Sequence, residues 1–187
     1  MAFSVFLDTC TLYGEVVCDI LLRCAERKIF VPFWSEDVLL ELERVLSDKI
    51  GDEKARKRVN VMREFFPASL VSDYENLIET MECSDEDKHV LAAASHSPAN
   101  TIVTFNVKDF PLESTEKLNI EVVTPDNFLC DTLDLEPSVV INICFEALLG
   151  YKKYPQQPEE LCAVLQRSGL PNFAREIYLP LKVRWEA

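Results

Sequence analysis

Acidic residues stand at four places in this chain where they could do chemistry together. Asp8 follows the apolar run Val5-Phe6-Leu7, Glu41 and Glu43 flank the apolar stripe of a helix that begins near Ser35, Asp87 opens a helix, and Asp109 lies in the loop behind Thr101–Thr104. Carboxylate oxygens are the ligands Mg²⁺ and Mn²⁺ prefer, and clustered acids bind such ions because the cation removes their mutual repulsion. One or two ions held this way activate a water and steady the pentavalent phosphate of an in-line displacement. Each acid also has a plainer reading. Asp8 would cap the next helix, and Asp87 would form a capping box with Ser84, with Asp in place of the usual Glu or Gln. At about 100° per residue, Glu41 and Glu43 fall on opposite flanks of the stripe Val38, Leu39, Leu42, Val45 and Leu46, and periodicity does not choose between them.

The elements that must position these acids read as an α/β protein. Val5–Leu7 is a short continuous apolar run, the pattern of a fully buried strand. Ligands in open α/β sheets bind outside the carboxyl ends of the strands, where Asp8 would stand. An amphipathic helix is predicted over Tyr13 to Arg27, a strand over Ile29–Phe33, and a helix from Ser35, an N-cap with Glu36 and Asp37 in its first turn. A further helix carries the basic run Lys49, Lys54, Arg56, Lys57, Arg58 and Arg63 and ends at Phe65-Phe66-Pro67. That run reads as a solvated face, or as a landing strip for a phosphate backbone. A short helix is expected over Tyr74 to Thr80. Asp87 shares a helical face with Val90, Leu91 and Ala94, which aims it over the core, whereas both histidines read as surface residues. Thr101–Thr104 and Glu121–Val123 are the remaining strands, and Thr124-Pro125-Asp126 opens a helix with Pro in its first turn. Beyond about Asp131 helical patterns take over, around Val139–Leu149, Glu159–Arg167 and Asn172–Leu179.

The chain of 187 residues, 48% of them hydrophobic, suffices for one ordinary domain with a small appendage. It has neither a membrane-length apolar run nor a basic segment leading into an apolar one at its start, so a cytoplasmic protein is expected. The seven cysteines, at 10, 18, 24, 83, 130, 144 and 162, are odd in number and never spaced Cys-x-x-Cys. Reduced, buried thiols are expected, with neither a disulfide framework nor a zinc site. A net charge of −13 argues against a broad basic face for nucleic acid.

The sequence resembles the PIN-domain ribonucleases, and within them the VapC-like toxins of bacterial type II toxin–antitoxin pairs. The resemblance is carried by Phe6-Leu7-Asp8-Thr9, by Ser35 with Val38–Leu42 and Arg44-Val45-Leu46, by Asp85–Ala94, and by Val103–Phe110, in the family's order. It implies a three-layer α/β/α fold with a central parallel sheet over residues 1–128, and a helical extension over 129–187 like that of a subgroup of these proteins. It also implies an acidic pocket for Mg²⁺ or Mn²⁺, an RNA substrate, a small antitoxin protein as partner and no membrane association, and it leaves a homodimer open. Carried over by position, Asp8, Glu41, Asp87 and Asp109 are the metal-binding catalytic acids, with Thr9, Thr104 and Asn106 in support. The family pattern selects Glu41 over Glu43, while a shift of two residues would exchange Asp87 for Asp85. Lys54, Arg56, Lys57 and Arg58 are the candidate RNA contacts. The hypothesised partner would insert a basic segment into the acidic cleft. Two alternatives stand beside this reading. A haloacid-dehalogenase-like phosphatase also starts with an apolar strand ending in Asp, but Cys10 occupies the place of its second acid. A non-catalytic PIN module would bind nucleic acid or a partner protein without cleaving.

Overall fold

The computed structural model describes residues 3–187; residues 1 and 2, the start of the expected nuclease domain, lie outside the described residues. Five strands, β1 (Phe3–Leu7), β2 (Phe30–Ser35), β3 (Leu70–Val71), β4 (Thr101–Val103) and β5 (Glu121–Val123), form an all-parallel sheet in the order β3-β2-β1-β4-β5. The architecture is the three-layer α/β/α fold that the sequence predicts. The chain progresses outward from β1 through β2 to β3, then returns to place β4 on the other side of β1. This reversal creates a crevice at the carboxyl ends of β1 and β4, the usual ligand position in an open parallel sheet.

The helices are α1 (Thr9–Tyr13), α2 (Glu15–Glu26), α3 (Glu36–Ile50), α4 (Asp52–Phe65), α5 (Lys88–His96), α6 (Leu112–Lys117), α7 (Pro125–Leu135), α8 (Pro137–Gly150), α9 (Pro158–Arg167) and α10 (Pro171–Glu186). The described chain divides into two compact units, residues 3–13 with 30–123, and 14–29 with 124–187.

In the first unit, Val5, Phe6 and Leu7 of the central strand are fully buried, as are Ile102 and Val103 of β4 and Trp34 of β2. Burial on both faces explains why these strands read as continuous apolar runs. Ser35 caps α3 as expected, its hydroxyl accepting from Val38 N–H at 3.2 Å. Gly51, at φ 84°, separates α3 from α4 in a left-handed conformation that glycine adopts without strain. The strand β3 is unforeseen, because two residues are too few to show a period. The Tyr74–Thr80 segment is a 3-10 turn over Glu75–Thr80.

The second unit is helical. The helix expected over Tyr13–Arg27 is α2, Glu15–Glu26, set off at Gly14 from the short, unforeseen α1, and it packs with α8 and α9. The last helix runs past its expected end at Leu179 and contains Pro180. Proline removes one backbone hydrogen bond, but Phe173, Ala174, Ile177 and Leu181 make one fully buried stripe that spans the defect. The buried Asp126 carboxylate caps α10, accepting from Asn172 N–H at 3.2 Å, Asn172 Nδ2 at 2.9 Å and Phe173 N–H at 2.9 Å. Asp126→Ala would strand two backbone donors in the interior, at a cost of roughly 3 kcal/mol. The thermal midpoint should fall by about 6–12 °C. Asn172→Ala removes only a side-chain donor and should cost well under half as much. Equal midpoints for the two variants would show that the carboxylate does not hold the helix.

All seven cysteines are free, as expected, but Cys10, Cys83 and Cys130 are only half-buried. Among the described residues no helix is long and apolar enough to cross a membrane.

Candidate active site

The carboxyl end of β1 delivers Asp8 to the crevice at only 4% exposure, and its backbone N–H reaches across to the Val103 carbonyl of β4. One carboxylate oxygen accepts from Thr9 N–H at 2.6 Å, and the other from the Thr104 hydroxyl at 2.7 Å and the Cys10 thiol at 3.1 Å. Thr104 Oγ1 in turn accepts from Asn106 N–H at 3.0 Å. Asp8 also begins α1, its carbonyl accepting from Thr11 and Leu12. The residue thus starts the helix through its backbone while its carboxylate remains at the cleft. Burial beside Asp8 pushes the Cys10 thiol up to about 11, so it stays protonated and serves as a hydrogen-bond donor.

The Thr9 hydroxyl donates to Glu41 Oε2 at 2.8 Å, which fixes a helix carboxylate next to the strand carboxylate. Glu43, on the other flank, pairs with Arg56 at 3.5 Å and does not line the crevice. Packing of α1 on α3 thus places Glu41, rather than Glu43, beside Asp8.

Asp87 is half-buried and its carboxylate accepts from the Ser84 hydroxyl. The capping box is not formed: α5 starts at Lys88, and Asp87 is its N-cap without a side-chain cap bond. Burial raises its pKa first, then the carboxylates of Asp8 and Asp109, against a lowering by Ser84. Asp85 stands fully in solvent and pairs with Lys88 at 2.6 Å, which pulls its pKa down. Asp109 closes a 3-10 turn, Val107–Asp109, and its carbonyl accepts from Ser84 N–H at 3.3 Å, tying the two acidic loops together. His89 is half-buried with Nδ1 enclosed and unpartnered, against the expectation of a surface residue, because α5 packs on the Glu75–Thr80 turn. His96 is exposed as expected.

The result is an open cleft of about 930 Å³ lined by Asp8, Glu41, Asp48, Asp85, Glu86, Asp87 and Asp109, and by no Lys or Arg among the described residues. Thr9, Cys10, Tyr13, Val45, Ser84 and Asn106 complete its wall. Asp48 was legible in principle, being seven residues from Glu41 on one helical stripe. Among the described residues, no three His, Cys, Asp or Glu side chains lie close enough to grip one ion between them as they stand. The donor set is nevertheless that of a hard cation, with oxygen donors, an excess of negative charge, and a neutral thiol in place of a thiolate.

Beyond Lys49 the basic run lies elsewhere. Arg56 and Lys57 line a separate groove on α4, Lys54 is exposed, and Arg58 Nη2 donates to the Leu12 carbonyl at 2.7 Å.

Asp87 lends itself to a pH test. Its folded pKa lies above the ordinary 3.8. Its stabilising contribution is therefore complete below the unfolded value and is lost as pH rises through the folded one. Asp87→Asn should match or exceed the wild-type chemical stability at pH 7 and lose that advantage near pH 3.5. A variant equally weakened at both pH values would show that Asp87 is not a strained carboxylate.

The sheet reverses at β1 and β4 over a pocket of acids in an all-parallel α/β frame, and comparisons with known proteins identify its family. Residues 4–108 match the PIN domain model and residues 125–178 match the VapC50 C-terminal domain. The chain belongs to the PIN-domain family. It is 36% identical over 101 residues to the "Putative ribonuclease VapC50" of Mycobacterium tuberculosis, a stretch covering 54% of this chain and 59% of that protein. No solved structure matches the chain. The PIN match replaces the phosphatase alternative.

Proposed function

We propose that this chain is a Mg²⁺- or Mn²⁺-dependent ribonuclease acting as the toxin of a toxin–antitoxin pair in a reducing cytoplasm, with residues 1–128 as the nuclease and 129–187 as its extension. The observation that carries this reading is the convergence of Asp8, Glu41, Asp87 and Asp109 on one open cleft at the sheet's reversal, in a chain of the PIN family. These four residues would hold the cation. When bound, it lowers the pKa of an attacking water and neutralises charge on the phosphate.

The chain's own groups do the positioning. Thr104 and Thr9 fix the two oxygens of Asp8, Thr9 fixes Glu41, and Ser84 fixes Asp87. Asn106, exposed at the rim, would donate to a phosphate oxygen. Asp87, whose pKa is raised by burial and by the neighbouring carboxylates, would be the group that accepts the proton of an attacking water. Lys54, Arg56 and Lys57 would meet the RNA backbone beyond the cleft, whose charge would otherwise repel it. The same charge suits a basic segment of an antitoxin, which would neutralise the acids in competition with the cation.

The reading is tested by incubating the protein with RNA and, separately, with a small phosphate ester in Mn²⁺. RNA should be cut and the ester left intact. Binding of RNA without cleavage would favour the non-catalytic module.

A further inference from the structure

Tyr13 is the aromatic side chain of the cleft, and holding a cation gives it no task. It ends α1, four residues after Thr9, so the two side chains leave the short helix on one face. Across from it, Glu41, Val45 and Asp48 are spaced i, i+4 and i+7 on α3 and line the same cleft. The cleft therefore has a carboxylate end, at Asp8 and Glu41, and one turn further along a patch with an aromatic ring and an aliphatic side chain. Lys49, exposed and next to Asp48, holds its Nζ 4.6 Å from the centroid of the Tyr13 ring. That cation–π contact steadies the ring and puts one positive charge at the edge of an acidic cleft.

A ligand that suits both ends has an anionic centre for a cation held by the acids and a flat apolar face for the ring. A nucleotide has this shape. An arginine of a partner peptide would be drawn by the carboxylates with or without the ring, so dependence on Tyr13 is what distinguishes a stacked base from it. We propose that Tyr13 is the platform on which a base of single-stranded RNA, next to the scissile phosphate, stacks, with Lys49 screening the adjoining phosphate. This rests on the ribonuclease reading above. Stacking of this kind requires an unpaired base, so a duplex does not satisfy the site.

The test uses the full chain carrying Asp8→Asn, so that binding is read without turnover, and short single-stranded RNAs with 2-aminopurine placed at one position at a time, in Mn²⁺. Fluorescence should be quenched strongly at one position. Adding Tyr13→Leu should remove that quench and weaken Kd about tenfold or more, and Tyr13→Phe should restore both. Lys49→Gln, at an exposed position that leaves folding intact, should lower the salt slope of log Kd by about one.

A quench that survives Tyr13→Leu, or an unaltered salt slope in the Lys49 variant, overturns the platform. So does an arginine-rich peptide, rather than RNA, losing affinity when Tyr13 is changed. Normal RNA cleavage with an unaltered KM in Tyr13→Leu would overturn the platform and leave the ribonuclease standing. A Tyr13-dependent quench from a wild-type chain that cuts no RNA would support the platform and reject the ribonuclease. RNA that neither binds nor is cut rejects both.

Discussion

Asp8→Asn is expected to slow RNA cleavage about a thousandfold while leaving the protein folded. The loss corresponds to roughly 4 kcal/mol, the scale of the charge stabilisation that a bound cation gives a phosphoryl transition state. Asparagine has nearly the same shape, and one oxygen remains to accept the Thr9 N–H now bonded at 2.6 Å. The new amide group faces the Thr104 hydroxyl, which can turn from donor to acceptor. Stability should therefore change by less than about 1 kcal/mol. The informative control is Glu43→Gln. Glu43 is also a helix carboxylate two residues from Glu41, yet it faces Arg56 and lies outside the cleft. Its loss breaks one partly exposed ion pair, worth at most about 1 kcal/mol, and should leave cleavage intact. Full activity in the Asp8 variant would remove that residue from the catalytic set. Loss of activity confined to the Glu43 variant would mean that the wrong face of α3 had been assigned.

Removing divalent cations should end cleavage altogether, and restoring Mn²⁺ in excess of EDTA should bring it back. Among the described residues no three of the acids are gathered tightly enough to seize an ion as they stand. Binding must therefore draw side chains together, and affinity without RNA should be modest. It should still be measurable as stabilisation: an ion at a hundred times its Kd adds about 2.7 kcal/mol, which raises the thermal midpoint of a chain this long by about 5–10 °C. Asp87→Asn should shrink that rise, because it takes away the carboxylate whose pKa is raised by burial and by its acidic neighbours Asp8 and Asp109. Cleavage that proceeds unchanged in EDTA would end the metal mechanism, and an unaltered rise in the Asp87 variant would take that acid out of the ligand set.

Where an element's identity depends on neighbours within a few residues, the sequence was enough. The apolar runs at Val5–Leu7 and Thr101–Val103 announce buried parallel strands, because burial on both faces leaves no polar alternation. Ser35 and Thr124 announce helix starts, and both make the cap bond, to Val38 N–H and to Asn127 N–H. The places of Asp8 and Asp109 at the sheet's carboxyl edge followed from the same local patterns. Tertiary structure decided what local pattern leaves degenerate. Glu41 and Glu43 are equivalent by periodicity, and only the packing of α1 on α3 puts one beside Thr9 and the other beside Arg56. Asp85 and Asp87 differ by solvent and by Lys88, a difference set by how the acidic loop folds against Asp109. The course of α10 through Pro180 is another such case, since the local cost of a proline is visible in the sequence and the buried stripe that outweighs it is not. Tyr13 was hidden for the same reason: a side chain joins a cleft only when a second element arrives to form the opposite wall, and that arrival is a long-range event with no period of its own.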